Sequence, residues 1–133
     1  MPRNTTDERG SVTSWFMITC VGIFLAIGLV VDGGAKITAN REAQSVAEAA
    51  ARAGAGSVTG ASVRGGAVVV NPATASNAAQ SYISAAGLTG SATTAGSTVT
   101  VTVTQTKKTV FLSLIGINNL QASATATAQI LKQ

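Results

Sequence analysis

The sequence predicts an α+β protein in which a long N-terminal transmembrane helix extends outside the membrane and leads into a small domain, with one helix packed on a short antiparallel sheet. Three observations predict this class. An uncharged run of twenty residues covers positions 12–31, and an alanine-rich helical pattern follows it directly. The C-terminal part combines one short helical pattern with two stretches that alternate small apolar and hydroxyl side chains.

The uncharged run reads VTSWFMITCVGIFLAIGLVV. At about 1.5 Å of rise per residue it spans roughly 30 Å as a helix, which is the thickness of the hydrocarbon core of a bilayer. A cleaved secretory signal is the competing interpretation. The run is longer than the apolar part of such a signal, the head before it holds as many acids as bases, and the helical pattern continues beyond it. These features favour a single-pass membrane anchor.

Charge alone does not decide the orientation of this helix, because two arginines precede the run and a lysine and an arginine follow it closely. About a hundred residues rich in Ser, Thr, Gly and Ala follow the run, which favours an N-terminus inside and a C-terminal domain outside the cytoplasmic membrane. We therefore expect a cytoplasmic head or leader at 1–10, a transmembrane and stalk helix at 11–56, and a small extracytoplasmic domain at 57–133.

Small side chains form a predicted ridge along this helix, since residues four apart lie on one helical face. Either the alanines merely favour a solvated helix, or the small side chains let the helix pack closely against another one. We expect the helix to continue to about Ala53, where Gly54 and Gly56 end it. The predicted ridge consists of Gly22, Ala26, Ala35, Ala39, Ala43, Ala47 and Ala51.

Asp32 is the first charged residue after the run, and Lys36 follows it at helical spacing. In the simpler interpretation, Asp32 keeps the helix from sinking into the membrane and pairs with Lys36. In the alternative, its carboxylate meets a base on a neighbouring subunit, where partial burial strengthens the bond. Glu48 and Arg52 form a second acid-before-base pair at the same spacing.

The C-terminal part predicts a small α+β unit. Asn71 followed by Pro72 predicts the N-cap and first residue of a helix that ends near Gly87. Residues 97–106 and 121–130 alternate with period two, which predicts two paired strands whose alanine face leaves room for a helix. A short β-branched run at 68–70 precedes this unit.

The segment TVFLSLIG lies between the two predicted strands. It predicts a short helical segment that ends at Gly116, with Val110, Phe111, Leu114 and Ile115 on one side. These apolar side chains either fill the core of the small domain or form an exposed contact for a neighbouring subunit.

The sequence offers little for chemistry. It contains no His, so its hydroxyl groups lack an obvious base, and the three acids beyond the head fall in one predicted helix. Metal-ligand clusters are missing from the pattern, and the paired glycines lack the spacing and the lysine of a phosphate loop. The single Cys20 lies inside the run, and the net charge of +4 is spread without a basic cluster. We expect no catalysis, cofactor, metal or nucleic-acid binding.

The segments RGSVTSWF, GLVVDGG, REAQSVAEAAARAGA and TVTVTQTKKTVFLSLIGINNLQASATATAQ together resemble the TadE/TadG-like pilus-assembly proteins of bacterial Tad (Flp) systems, over nearly the whole chain. The resemblance implies a minor, pilin-like subunit with a role in building an adhesive filament or a related secretion apparatus. It also implies the lipid bilayer, other pilin-like subunits and the Tad machinery as partners, in a homo- or hetero-oligomer.

The resemblance also bears on processing, because prepilins are cut after a glycine. Gly10 followed by Ser11 is the one place before the apolar run where such a cut could fall, and a cut chain could enter the extracellular filament. The fifth residue after the cut would be Trp15, where prepilins usually carry a glutamate; an aromatic anchor at the membrane interface suits this tryptophan better. An uncut chain would remain in the cytoplasmic membrane as a permanent assembly factor.

Two other functions remain open from the sequence. One is a membrane-tethered extracytoplasmic domain that binds a ligand or the cell wall, and the other is a type II secretion pseudopilin. Neighbouring genes for a secretion ATPase and a prepilin peptidase would favour pilus assembly over the tethered binding domain.

Overall fold

The computed structural model describes residues 9–62 and 71–130, with side-chain surroundings for 11–58 and 71–130. It confirms the predicted α+β class: a long apolar helix leads into a short helix packed on a three-stranded antiparallel sheet. The elements are α1 (Arg9–Ser62), α2 (Pro72–Ala85), β1 (Thr89–Ala95), β2 (Thr98–Lys108), a 3-10 helix (Leu112–Ile115) and β3 (Asn119–Gln129). The β-branched run at 68–70 lies outside the described residues.

The helix α1 is longer than its glycines predicted. It runs without interruption to Ser62, so the expectation that Gly54 and Gly56 would end it was wrong. A Cβ atom at Gly54 would lie 2.8 Å from the carbonyl oxygen of Ala75 and 3.1 Å from Cγ1 of Val99. This glycine therefore permits a close approach of α1 to α2 and β2, which is the reason it occurs inside a helix.

The start and end of α2 follow the local chemistry of the chain. The side chain of Asn71 accepts a hydrogen bond from the backbone N–H of Ala73 at 3.0 Å, and Pro72 opens the helix. Gly87 follows the helix with a φ of 72°, a left-handed conformation that glycine adopts without steric cost. The cap, the proline and the glycine stop are confirmed.

The sheet has the order β1-β2-β3, and both pairs are antiparallel. The predicted pairing of the two alternating stretches is confirmed: Val101 of β2 lies opposite Ala126 of β3. The edge strand β1 was not predicted, because its sequence TGSATTA has no large apolar residue to mark an alternation. It joins β2 through a tight turn at Gly96, whose φ is 60°.

The core lies between the helices and one face of the sheet. The helix α1 contacts β2 and β3, and α2 contacts β1. Three valines of the central strand, at 99, 101 and 103, are fully buried there, and alanines surround them. Small side chains on both helices and on β3 let the helices lie close to the sheet, as the alanine face of β3 predicted. The alanines of this core are Ala43, Ala47, Ala50, Ala51, Ala55, Ala75, Ala79 and Ala126.

Candidate functional site

The N-terminal half of α1 presents its apolar side chains to the surroundings rather than to the protein. Trp15, Phe16 and Phe24 are each about two-thirds exposed or more, and most of the other large apolar side chains of the run are exposed as well. Among the described residues, α1 is the one helix that is long and apolar enough to cross a membrane. A helical segment whose large apolar side chains are mostly exposed in this way fits a transmembrane segment.

The C-terminal half of α1 belongs to the small domain. The predicted ridge divides between the two halves: Ala39, Ala43, Ala47 and Ala51 are buried in the protein's own core, whereas Gly22, Ala26 and Ala35 are not packed against it. The outer part of the ridge therefore contacts α2 and the sheet of the same chain. For the inner part, within and just beyond the apolar run, a contact with other subunits remains a prediction.

Asp32 lies where the two halves meet, and its carboxylate holds a distant segment of the chain. Oδ1 accepts the backbone N–H of Val110 at 3.0 Å, and Oδ2 accepts those of Phe111 at 3.0 Å and Leu112 at 2.7 Å. The residue is 2% exposed. Lys36 is exposed, and the ion pairs of the described residues do not include it. The predicted pairing of Asp32 with Lys36 or with a base on another subunit remains a prediction.

The three amides also explain how a carboxylate is tolerated in so enclosed a position. The hydrogen bond from Leu112 contributes most, and together with those from Val110 and Phe111 it holds the pKa of Asp32, the first residue beyond the apolar run, below its ordinary value. Desolvation acts in the opposite direction but does not prevail. The carboxylate is therefore ionised at neutral pH, with its charge directed at backbone N–H groups.

The segment that Asp32 holds is a closed loop between β2 and β3, residues 109–118, which we call the junction loop. Thr109 donates its backbone N–H to the carbonyl of Asn118 at 3.1 Å and its hydroxyl to the carbonyl of Ile117. Phe111 packs on α1 at Gly28, where a Cβ atom would lie 2.5 Å from Cβ of the phenylalanine. The loop thus contacts α1 at Asp32 and again one turn further into the apolar run.

The tip of the junction loop is not part of the core. Leu114 is 81% exposed, and Val110, Ile115 and Ile117 are exposed too. The predicted short helical segment ending at Gly116 is confirmed, but the interpretation that its side chains fill the core is wrong for this tip. The reason is the contact with Asp32, which holds the segment against α1 rather than against the core between the helices and the sheet.

A second acid of α1 holds the sheet itself. The carboxylate of Glu42 accepts a hydrogen bond from Nε2 of Gln105 at 2.9 Å and lies 3.8 Å from Nζ of Lys107. Sequence reasoning missed these partners and those of Asp32, because it considered only bases four residues away or on a neighbouring subunit. That rule did succeed for Glu48 and Arg52, whose ion pair is 3.4 Å long.

The described part of the surface includes a broad groove. A groove of about 460 Å³ between α1 and β3, lined by Arg41, Gln44, Glu48 and Ser123 among others, is widely open to solvent. In the described part of the chain, no three His, Cys, Asp or Glu residues are placed to hold a metal ion. Gly10 and Ser11 lie in the first turn of α1.

The fold, together with the contact between Asp32 and the junction loop, defines a class of protein. In this class a membrane-anchoring helix continues into the core of a small α+β domain, and a carboxylate lies where the apolar half of the helix meets the buried half. Residues 10–58 match the family described as putative Flp pilus-assembly TadE/G-like. The resemblance to TadE/TadG-like proteins is thereby confirmed for α1, both its apolar half and its buried half. The match does not extend to the sheet, so the likeness of the C-terminal segments remains a prediction. No curated protein and no solved structure matches the chain.

Proposed function

We propose that this protein is a non-enzymatic, pilin-like structural or assembly component of a Tad (Flp-type) pilus or a related secretion apparatus. The family match over residues 10–58 supports a role as a Tad pilus component and carries the proposal. The geometry agrees with it, because one continuous helix supplies both the apolar run and six of the fourteen buried residues of the core cluster.

The proposed partners are other pilin-like subunits, which would contact the exposed part of α1. Gly22 and Ala26 are four residues apart, so they lie on one face of the helix, and small residues at this spacing let a second helix approach closely in a membrane. Asp32 is already bound to three amides, so the contact that we propose at the membrane edge is made by the exposed ammonium group of Lys36.

The proposed location is the bacterial cytoplasmic membrane, with the N-terminus inside and the small domain outside. Cleavage between Gly10 and Ser11 would release the chain into an extracellular filament, whereas the uncut chain would stay as an assembly factor. A reporter that is active only outside the cytoplasm, fused to the C-terminal end, is expected to be active. Activity of a cytoplasm-only reporter instead would reverse this orientation.

Co-purification from the native cells tests the function. The full chain, isolated in mild detergent, is expected to bring down Tad pilus subunits identified by mass spectrometry. The variant Ala26→Leu should reduce their recovery because it widens the helix contact, while Ile23→Leu, an exposed apolar exchange in the same run, should not.

The outcome separates the remaining functions. Recovery of cell-wall fragments or of a small ligand without pilus subunits would contradict the proposal and identify a tethered binding domain, and recovery of type II secretion components would identify a pseudopilin. N-terminal sequencing of the same preparation decides processing: a start at Ser11 identifies a cut subunit, and a start at Met1 or Pro2 an uncut assembly factor.

A further inference from the structure

The junction loop reaches the depth of the apolar run. Asp32 is the first residue beyond that run, and Gly28, against which Phe111 packs, lies four residues further in. Four residues of α-helix correspond to about 6 Å along the axis. When α1 spans a bilayer, the body of the loop therefore lies at the level where the hydrocarbon core begins.

The tip of the loop is suited to an apolar medium. Its side chains Val110, Leu114, Ile115 and Ile117 are aliphatic and exposed. The hydroxyl of Ser113, which lies among them, is satisfied because it donates to the carbonyl of Val110 at 2.7 Å. No charged side chain occurs from Thr109 to Ile117.

Many backbone N–H groups of the loop are bound within the protein. The N–H groups of residues 110–112 are bound to Asp32. Those of Leu114, Gly116 and Ile117 donate to loop carbonyls at 3.0 to 3.1 Å. Unpaired backbone groups make an irregular segment costly to place in lipid, and the contacts within the loop and with Asp32 reduce that cost.

Two lysines lie close along the chain, one to Asp32 and one to the loop. Lys36 lies one helical turn outward from Asp32, and Lys108 is the last residue of β2 before the loop. Both are exposed. Lysines at this level can extend to lipid phosphates while their stems remain along apolar surface.

We propose that the tip of the junction loop inserts into the outer leaflet of the bilayer, at the boundary between headgroups and acyl chains, as a second membrane contact beside α1. Two contacts at a fixed separation would set both the depth and the tilt of the small domain relative to the membrane. This inference rests on the membrane anchoring of α1 that the proposed function includes.

Site-directed fluorescence in nanodiscs that hold one chain each tests the proposal. In a Cys20→Ser background, single cysteines are introduced as Leu114→Cys at the tip, Phe24→Cys in the apolar run and Ser81→Cys on the exposed side of α2. Each is labelled with the environment-sensitive fluorophore NBD. The expected result is a blue-shifted emission, quenched by nitroxide-labelled lipids, for the labels at 114 and 24 but not at 81.

The variant Asp32→Asn, made with each label, tests how the loop is held. The substituted amide keeps one acceptor oxygen and places an NH₂ group against backbone donors, so it cannot bind all three N–H groups. Quenching at position 114 should fall, whereas quenching at position 24 should remain. Equal quenching at 114 with and without the substitution would overturn the role of Asp32 in positioning the tip.

The reference labels distinguish the ways in which the inference could fail. Quenching at 24 together with an unquenched, unshifted label at 114 would overturn the second membrane contact while leaving the anchor intact. Absence of quenching at 24 would overturn the anchoring itself and the inference with it. An emission shift at 114 that arises only when several chains share one bilayer would show that a neighbouring subunit covers the tip.

Discussion

Asp32 holds three backbone amides of a segment that lies 78 to 80 positions further along the chain. Because this contact lowers the pKa of the carboxyl group, the ionised form persists through the neutral range. The contribution of the contact to stability is complete above the ordinary pKa of an aspartate and is lost as the pH falls through the lowered pKa. At physiological pH the contact between Asp32 and the loop therefore makes its full contribution to stability.

Gly28 provides a test of the junction at a single position. In Gly28→Ala the new methyl group would meet Cβ of Phe111, which cannot rotate away, so the loop must move off α1. We expect faster hydrogen exchange at the amides of residues 110–112. Mass spectrometry of the full chain in detergent measures this exchange.

Gly22→Ala is the matched control for this variant. It makes the same change in the same apolar run and gains the same helix propensity, but no atom lies within 4 Å of the new methyl group. Its exchange at the loop should equal that of the unmodified protein. Equal acceleration in both variants, or none in either, would show that the contact at Gly28 does not hold the loop.

At the scale of elements, the sequence predicted what local chemistry determines. The cap at Asn71, the stop at Gly87 and the alternation of β2 each depend on neighbouring residues, so they can be read directly. The continuation of α1 past Gly54 could not be predicted from neighbouring residues. It depends on how closely α2 approaches, which is a property of the assembled core.

The same limit applies to the candidate site. Position 32 stood out as the membrane edge, but its partners were sought among bases, four residues away or on a neighbouring subunit, whereas the structure supplies backbone N–H groups of the loop that follows β2. The edge strand β1 also depends on its partner, because its small residues pack only once β2 is beside them. A carboxylate next to an apolar run, together with a long apolar connection between two strands, was the available signal for the junction.

The close approach of α1 and α2 predicts opposite effects for two neighbouring glycines. Gly54→Ala gains about 1 kcal/mol of helix propensity but forces a methyl group against a backbone oxygen, and such overpacking costs about 1–3 kcal/mol. We expect a net loss of stability. Gly56→Ala, whose new methyl group meets no atom within 4 Å, should stabilise the protein by about 0.5–1 kcal/mol.

Pulse proteolysis with trypsin at increasing urea concentration compares these two variants. The reporting cut is after Arg52, which lies in the part of α1 that packs against the core, so cleavage there requires the domain to open. The urea midpoint should fall for Gly54→Ala and rise for Gly56→Ala. A rise for both would mean that α1 and α2 separate at no cost.

At the scale of the whole molecule, anchor and domain are parts of one helix rather than two units joined by a linker. The buried alanines of α1 from 39 to 55 face the same core as the valines of β2, so the sheet and α2 alone would expose one side of that core. A rigid movement of α1 would therefore carry part of the domain core with it. This coupling is the property that a subunit drawn from a bilayer into an assembly would need.

Truncated chains test whether the small domain needs α1 in order to fold. A chain of residues 71–133 lacks α1 and should remain unfolded, because a three-stranded sheet with one short helix leaves the valine face of β2 in water. A chain that begins at Asp32 lacks the apolar run but keeps every α1 residue of the core, so it should fold in aqueous solution. Dispersion of the amide signals in ¹H–¹⁵N NMR spectra distinguishes the two states. Well-dispersed amide signals from the chain 71–133 would show that the domain folds independently of α1. Poorly dispersed signals from both chains would show that the apolar run is needed to complete the fold.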